Sequence, residues 1–429
     1  MRFLRLPAPL RGIASIVAGS VAGQGLVILA YPLLTRLYSP AEFGLLTVFT
    51  SVVSMIAIVA TASLEAAVPL PVEDRDAAAV AWAGLGCVAA TAAITSLVAL
   101  VAAAPLTALL GAPQLAADAW LAGPTVFALG AYTVMSRWMI RDRSYGALGR
   151  RNALQGIGQV APQLGLGLAG VGALGLLVGL GCGRLVALGG LLSARGLLRQ
   201  PWPSLAELRT ALRRYRNFPL LALPSTFLNS AGLEVPLLLI SAAYGDIRAG
   251  LLGLTVRVVS GPLAIVGQAV YNVFTGESSA AIRDPRATMG RNVRSSVRRL
   301  LMVGLLPAAL LLAVGPGLFA LVFGSQWSEA GEYARLLAPA YLAQFAIVPV
   351  SATLFILERQ GQELGWTALR LALTTAGPAA CGLAGAPVGV AIAVLSAGHV
   401  VSYVVLYVLC VRAADASDRR LSAEPPDGA

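Results

Sequence analysis

RNVRSSVRRLLMVGLLPAALLLAVGPGLFALVF, residues 291–323, decides the fold class. Arg291, Arg294, Arg298 and Arg299 lead into a run with no further charge up to Phe323. Crossing the hydrocarbon of a bilayer takes about 20 apolar residues in a helix. The stretch therefore reads as a basic cytoplasmic loop followed by a transmembrane helix. The same pattern recurs along the whole chain. Of 429 residues, 57% are hydrophobic and 12% charged, against about 25% charged in a soluble domain. No polar stretch is long enough for a soluble domain. The chain reads as an all-α polytopic membrane protein, and its function is confined to what a bilayer-embedded bundle can do.

About twelve spans are expected, near 13–36, 43–71, 77–104, 116–137, 152–171, 173–194, 218–243, 249–274, 299–323, 333–357, 363–383 and 386–411. The run 152–194 is too long for one helix, and a turn near Gly170–Gly172 divides it. The N-terminal apolar stretch outlasts a signal-peptide core, so it is read as a retained first helix. All 31 basic residues are arginine, and the net charge is +11. With the N-terminus inside, 25 arginines fall in cytoplasmic segments, and only Arg36, Arg248 and Arg335 lie near outer helix ends. This asymmetry places both termini in the cytoplasm. It also accounts for the positive charge without nucleic acid, since no folded basic module is present. Arg150 and Arg151 are counted here among the cytoplasmic loop residues.

An internal repeat organises the chain. YPLLTRLYSPAEFGLLTVF (31–49) aligns with VPLLLISAAYGDIRAGLLGLT (235–255), matching Pro32-Leu33-Leu34 to Pro236-Leu237-Leu238 and Gly44-Leu45-Leu46 to Gly250-Leu251-Leu252. Two six-helix lobes in parallel pseudo-repeat follow: 1–197, a cytoplasmic linker 198–217, and 218–411, with a disordered cytoplasmic tail at 412–429. Parallel repeats are a common way for transporters to frame a central site.

Charges inside spans cost at least about 2.5–3.5 kcal/mol, so those that persist face a cavity or a partner. Arg257 and Glu234 lie at similar depth in consecutive spans. They are either a structural ion pair or the wall of a site in which Arg257 meets an anionic group. Arg36 either snorkels to the outer interface or lines the outer mouth. Glu65 lies deep in the second span, where a carboxylate binds a proton or sodium unless an arginine pairs with it. Arg184 and Arg370 are further cavity candidates. His399, the one histidine, reads first as a hydrogen-bonded packing residue and second as a proton relay. The four cysteines stand singly in apolar runs, with no metal-ligand spacing. No phosphate-binding loop and no HExxH occur, and no catalytic residue or cofactor is expected.

LLTRLYSPAEFGLLTVFTSVVSMIAIVATASLEAAVPLP (33–71) resembles the opening of bacterial polysaccharide flippases. These are the O-antigen and exopolysaccharide translocases of the multidrug/oligosaccharidyl-lipid/polysaccharide exporter superfamily. FPLLALPSTFLNSAGLEVPLLLISAAYG (218–245), GLLGLTVRVVSGPLAIVGQAVYNVF (250–274) and LFALVFGSQWSEAGEYARLLAP (318–339) agree with them in order. The resemblance implies a flippase of the inner membrane that moves an undecaprenyl-diphosphate-linked oligosaccharide outward by alternating access, driven by a proton or sodium gradient. Lipid II flippases usually carry extra C-terminal helices that are not seen here, which favours an oligosaccharide unit. Arg257 and Arg36 are the expected substrate contacts, and Glu65 and Glu234 the expected cavity or coupling groups. The bilayer and polysaccharide assembly proteins are the expected partners. The competing readings are a drug/cation antiporter of the same superfamily, a membrane enzyme acting on lipid-linked sugars, and a non-catalytic scaffold.

Overall fold

The computed structural model describes residues 8–192, 196–281 and 288–423. Among them the regular structure is helical. Fourteen α-helices follow in order: α1 Ala8–Leu37, α2 Pro40–Ala60, α3 Asp74–Leu109, α4 Ala122–Arg141, α5 Tyr145–Leu168, α6 Ala173–Leu192, α7 Leu205–Arg214, α8 Leu223–Tyr244, α9 Asp246–Ala281, α10 Met289–Phe323, α11 Ser328–Ile347, α12 Ala352–Ile356, α13 Gln360–Leu383 and α14 Val388–Ala423. Eight stretches are long and apolar enough to cross a membrane: α1 to α3, α8 to α10, α14, and α11 together with α12. Helices α4, α5 and α13 are less apolar, carrying Arg137 and Arg141, Arg151 with Asn152, Gln155 and Gln159, and Arg370 respectively, and the apolar stretch of α6 is short. Twelve spans with cytoplasmic termini remain an expectation that goes beyond these eight.

The chain divides into two compact units, Met1–Gly253 and Leu254–Ala429. The boundary falls inside α9, whereas the expected lobes part at 198–217. The reason is local. The first turns of α9 pack on α2 so closely that a Cβ at Gly44 would strike the Asp246 carbonyl, and one at Gly250 would strike the Pro40 carbonyl. The repeated glycines of the sequence thus meet each other across one seam.

In the first unit, α1 packs along α5 through Gly19 and Gly23, each pressed against α5 backbone at Gly149 and Asn152. This small-xxx-small spacing lets membrane helices approach at backbone distance. The turn between α5 and α6 lies where expected, with Gly170 and Gly172 at φ of 70° and 73°. Only glycine adopts that region freely.

Helix α2 stops at Ala60, well short of the expected 71. Ala62 and Ser63 follow at φ of 50° and 54°, and Leu64–Ala66 form a 3-10 turn. Pro69 and Pro71 bar continuation of a helix through this stretch. Arg141, at the end of α4, holds the loop by donating to the Pro71 and Val72 carbonyls and to Asp74.

The connection 198–217 contains the amphipathic α7, opened by a capping box. The Ser204 N–H donates to the Glu207 carboxylate at 2.7 Å, and the Glu207 N–H donates to Ser204 Oγ at 3.3 Å. Glu207 also pairs with Arg75 at 2.6 Å, and Trp202 stacks on Trp82 with ring centroids 4.1 Å apart. Hydrogen bonds from Ser204, with a smaller contribution from Arg75, hold the Glu207 carboxyl below its usual 4.5. A depressed carboxylate stabilises above its unfolded value, and that contribution is lost as pH falls through the folded one. The seating of α7 on α3 is therefore expected to be independent of pH between 5 and 8 and to weaken below 4.5. The Trp202 emission, taken as the difference from Trp202→Phe, should shift over that acidic range. The shift should vanish in Glu207→Gln; a shift that persists in the variant would assign it to another group.

In the second unit, α10 packs on α11, α11 on α14 and α13 on α14. Phe274, Val293, Val297, Trp366, Tyr403 and Leu406 are among its buried core. The tail expected to be disordered at 412–429 is helical as far as Ala423, and residues 424–429 lie outside the described residues. It is ordered because Asp418 accepts from the Met289 and Gly290 N–H groups, both at 2.9 Å, at the start of α10. Asp415 pairs with Arg294 at 2.6 Å alongside. Such carboxylates offset the unpaired donors and the dipole of a helix N-terminus.

Candidate functional site: a carboxylate-free arginine pair

Four helices of the first unit bring polar side chains to one place. Tyr132 and Ser136 stand one turn apart on α4; Arg151, Asn152 and Gln155 lie on α5, Arg184 on α6 and Ser20 on α1. The glycine seam between α1 and α5 sets Ser20 against Asn152, whose amide donates to the Ser20 hydroxyl at 2.8 Å. Gly179 and Gly183 pack α6 tightly on α5 beside Gln159 and Gln163, which carries Arg184 to Gln155.

The guanidinium of Arg151 lies 4.0 Å from the Tyr132 ring centroid. That of Arg184 approaches the same ring at 5.1 Å. Arg151 is only 3% exposed. It donates to Ser136 Oγ at 2.9 Å and to Asn152 Oδ1 at 3.0 Å, and the Tyr132 hydroxyl donates to the same Asn152 oxygen at 3.0 Å. Arg184 donates to Gln155 Oε1 at 3.2 Å. The Nε atoms of both arginines are buried without a hydrogen-bond partner. Among the described residues, no carboxylate pairs with either.

Two guanidinium groups therefore share one aromatic ring with neutral partners alone. Buried cations are normally paired with an acid, because desolvation costs several kcal/mol per ion. The tyrosine face returns roughly 0.5–2 kcal/mol per cation, which leaves excess positive potential at the cluster. Its free donors suit a multiply charged oxyanion, which a guanidinium fork engages with two parallel bonds.

Arg184, named from sequence, belongs to this cluster. Arg151 was missed because its position near the inner end of a span made it look like one more topology arginine. Its neighbours Asn152 and Gln155, polar residues on the same apolar helix, were the available signal.

The second unit gathers Arg370 and His399. Arg370, 5% exposed, lies 4.9 Å from the Trp366 ring. His399 stacks on Tyr403 at 5.9 Å and 13°, and Trp366 donates to the Ser402 carbonyl at 2.8 Å. The hydrogen bond expected to hold His399 is absent at Nδ1, which is buried without a partner.

Glu65 sits on the 3-10 turn after α2, not within a span, and its Oε2 is buried without a partner. No arginine pairs with it among the described residues. Arg36 is exposed in the last turn of α1. Glu234 on α8 and Arg257 on α9 are each half-buried, one in each unit. No group of three or more potential metal ligands occurs among the described residues.

Residues 33–332 match the model of a family described as polysaccharide biosynthesis protein. The match covers more than half of the chain, and the protein belongs to that family. The succinoglycan biosynthesis transport protein ExoT of Rhizobium meliloti (strain 1021) is 28% identical over 383 residues, 87% of this chain and 74% of ExoT. Two solved structures share the fold. One is an inward-facing multidrug resistance MATE family transporter of the MOP superfamily, with TM-score 0.69, 16% identity, and 94% of this chain and 99% of that one covered. The other is the lipid II flippase MurJ in an inward closed conformation, with TM-score 0.71, 10% identity and coverage of 96% and 92%. The chain is thus a multi-pass membrane protein of a polysaccharide biosynthesis family, placed in the inner membrane of a bacterium.

Proposed function

We propose that the protein is a flippase that carries an undecaprenyl-diphosphate-linked oligosaccharide from the cytoplasmic to the periplasmic leaflet. The observation that carries this reading is the Arg151–Arg184 pair, whose Nε atoms are buried and which has no carboxylate partner among the described residues. A diphosphate supplies the missing anion, and the glycan it bears is too polar to cross lipid unaided. Family membership agrees: ExoT is by its name a succinoglycan transport protein, and MurJ a lipid II flippase.

With twelve spans and cytoplasmic termini, α5 starts at the inner face and α6 ends there. Arg151 then lies about 9 Å and Arg184 about 12 Å from that face, at 1.5 Å per residue. That depth suits capture from the cytoplasmic leaflet. Arg257 and Arg36 are proposed as further substrate contacts, and Glu234 as a further cavity group. Glu65, on the 3-10 turn after α2 with one carboxylate oxygen buried, is proposed to couple transport to a proton or sodium gradient; Arg370 and His399 are the second unit's candidates for that role. A drug/cation antiporter wants acidic groups where this cluster has arginines, and the cluster disfavours it.

Reconstituted protein, given a fluorescent lipid-linked oligosaccharide and an imposed pH or sodium gradient, is expected to expose the glycan to an external lectin in a gradient-dependent way. Glu65→Gln should retain lectin exposure at equilibrium but lose its gradient dependence. No exposure with chemically altered substrate would replace this reading with an enzyme. Exposure that ignores both gradients would remove the coupling.

A further inference from the structure

In the second unit α9, α10 and α11 enclose an apolar cavity of about 420 Å³. Val258 and Pro262, Pro307 and Phe319, and Tyr341 and Phe345 form its three walls. The two prolines lie within their helices, and each removes a helix hydrogen bond, which favours a bend in its span. Helices bent in this way part into a broad pocket instead of closing into a seam. Val303 and Leu310, on the α10 wall, are 65% and 51% exposed, so the cavity opens along the exposed apolar face of α10.

A second cavity of about 210 Å³ continues along α9, sharing Leu263 and Phe345 with the first. Gln268, Tyr271 and Gln344 line it. From Val258 to Tyr271 the two span about 20 Å of helix. Polarity is graded along that length, from hydrocarbon and aromatic rings to amides and a phenol. Such grading fits an elongated amphiphile with its polar end near Gln268 and its chain toward Phe319.

We propose that this groove seats the polyprenyl chain of a lipid-linked glycan, which rests on the flippase reading above. A saturated acyl chain gains little by leaving lipid for such a site, because lipid tails are as apolar as the walls. Preference must come from shape and from ring contacts. A rigid methyl-branched chain fills a broad pocket held open by proline bends, and its double bonds lie against the faces and edges of Phe319, Phe323, Tyr341 and Phe345.

The test uses the full chain in phosphatidylcholine nanodiscs and two photoreactive probes: a diazirine-tagged undecaprenyl monophosphate and a diazirine-tagged palmitoyl phosphatidylglycerol. The prenyl probe is expected to label α10 and α11 peptides containing Phe319 and Phe345, and excess untagged undecaprenyl monophosphate should suppress that labelling at least fivefold. Ala308→Phe, which fills the pocket, should reduce it to a similar degree. Leu321→Phe, at a site on α10 that is 79% exposed and outside the lining, should not. Equal labelling by the phosphatidylglycerol probe, or labelling spread evenly over the exposed face of α10, would overturn the proposal. If Ala308→Phe does not fold, the competition in wild type decides alone. Labelling without any flipping would count against the transport reading, and flipping without labelling would count against the groove.

Discussion

Arg184→Met is expected to cut flipping about tenfold to a hundredfold while leaving the fold intact or more stable. Hydrogen bonds to charged groups contribute about 1.5–3 kcal/mol each, and about 1.4 kcal/mol is a factor of ten. The stability half of the prediction follows from the geometry. Arg184 gives up its hydrogen bond to Gln155 and its contact with the Tyr132 ring, and its buried Nε has no partner to lose. Removing one of two like charges that share the Tyr132 ring relieves repulsion and desolvation. An apparent Tm raised by about 1–3 °C is the expected size. Arg184→Lys keeps the charge but not the planar fork, and should recover activity only in part. A variant that loses several degrees of Tm together with transport would make Arg184 a structural residue. Full transport in Arg184→Met would remove the pair from the substrate path.

The second large effect is expected at the glycine seam. Gly44→Leu and Gly250→Leu should each abolish a monodisperse detergent-solubilised peak. In both cases a side chain is driven into the backbone of the facing helix, at Asp246 or Pro40. Overpacking in a closed interface costs about 1–3 kcal/mol even for small insertions, and backbone offers no rotamer by which to yield. Gly44→Ala should lower the yield of folded protein measurably. Gly317→Ala on α10, where an added Cβ meets open space, should behave as wild type. Size-exclusion of tagged variants from the same membranes checks all four. Wild-type elution by Gly250→Leu would show that the seam opens more easily than its spacing implies.

These two effects differ in how far they were legible in the chain. The repeat of Pro-Leu-Leu and Gly-Leu-Leu blocks flags Gly44 and Gly250 as equivalent, and in the fold the two glycines face each other. Arg151 was hidden by the topology rule. Charge counting cannot separate an arginine in the inner loop from one two turns into a helix, and only burial tells them apart. Glu65 was placed in a span because its flanks are apolar, whereas Pro69 and Pro71 had already limited the helix. The tail read as disordered because its charges look solvated; Asp415 and Asp418 are ordered by Arg294 and the start of α10, a contact more than a hundred residues away in sequence.

By itself, the sequence determined the membrane class, the helical content, the turn at Gly170–Gly172 and the family pattern. Hydrocarbon length, backbone hydrogen bonding in lipid and the freedom of glycine are local constraints that act on consecutive residues. Only the tertiary structure decided which arginines lack an acid, which glycines form seams, and where bent helices leave a pocket. Those are relations among residues from different helices, set by side-chain packing across α1, α4, α5 and α6 in one unit and α9, α10 and α11 in the other.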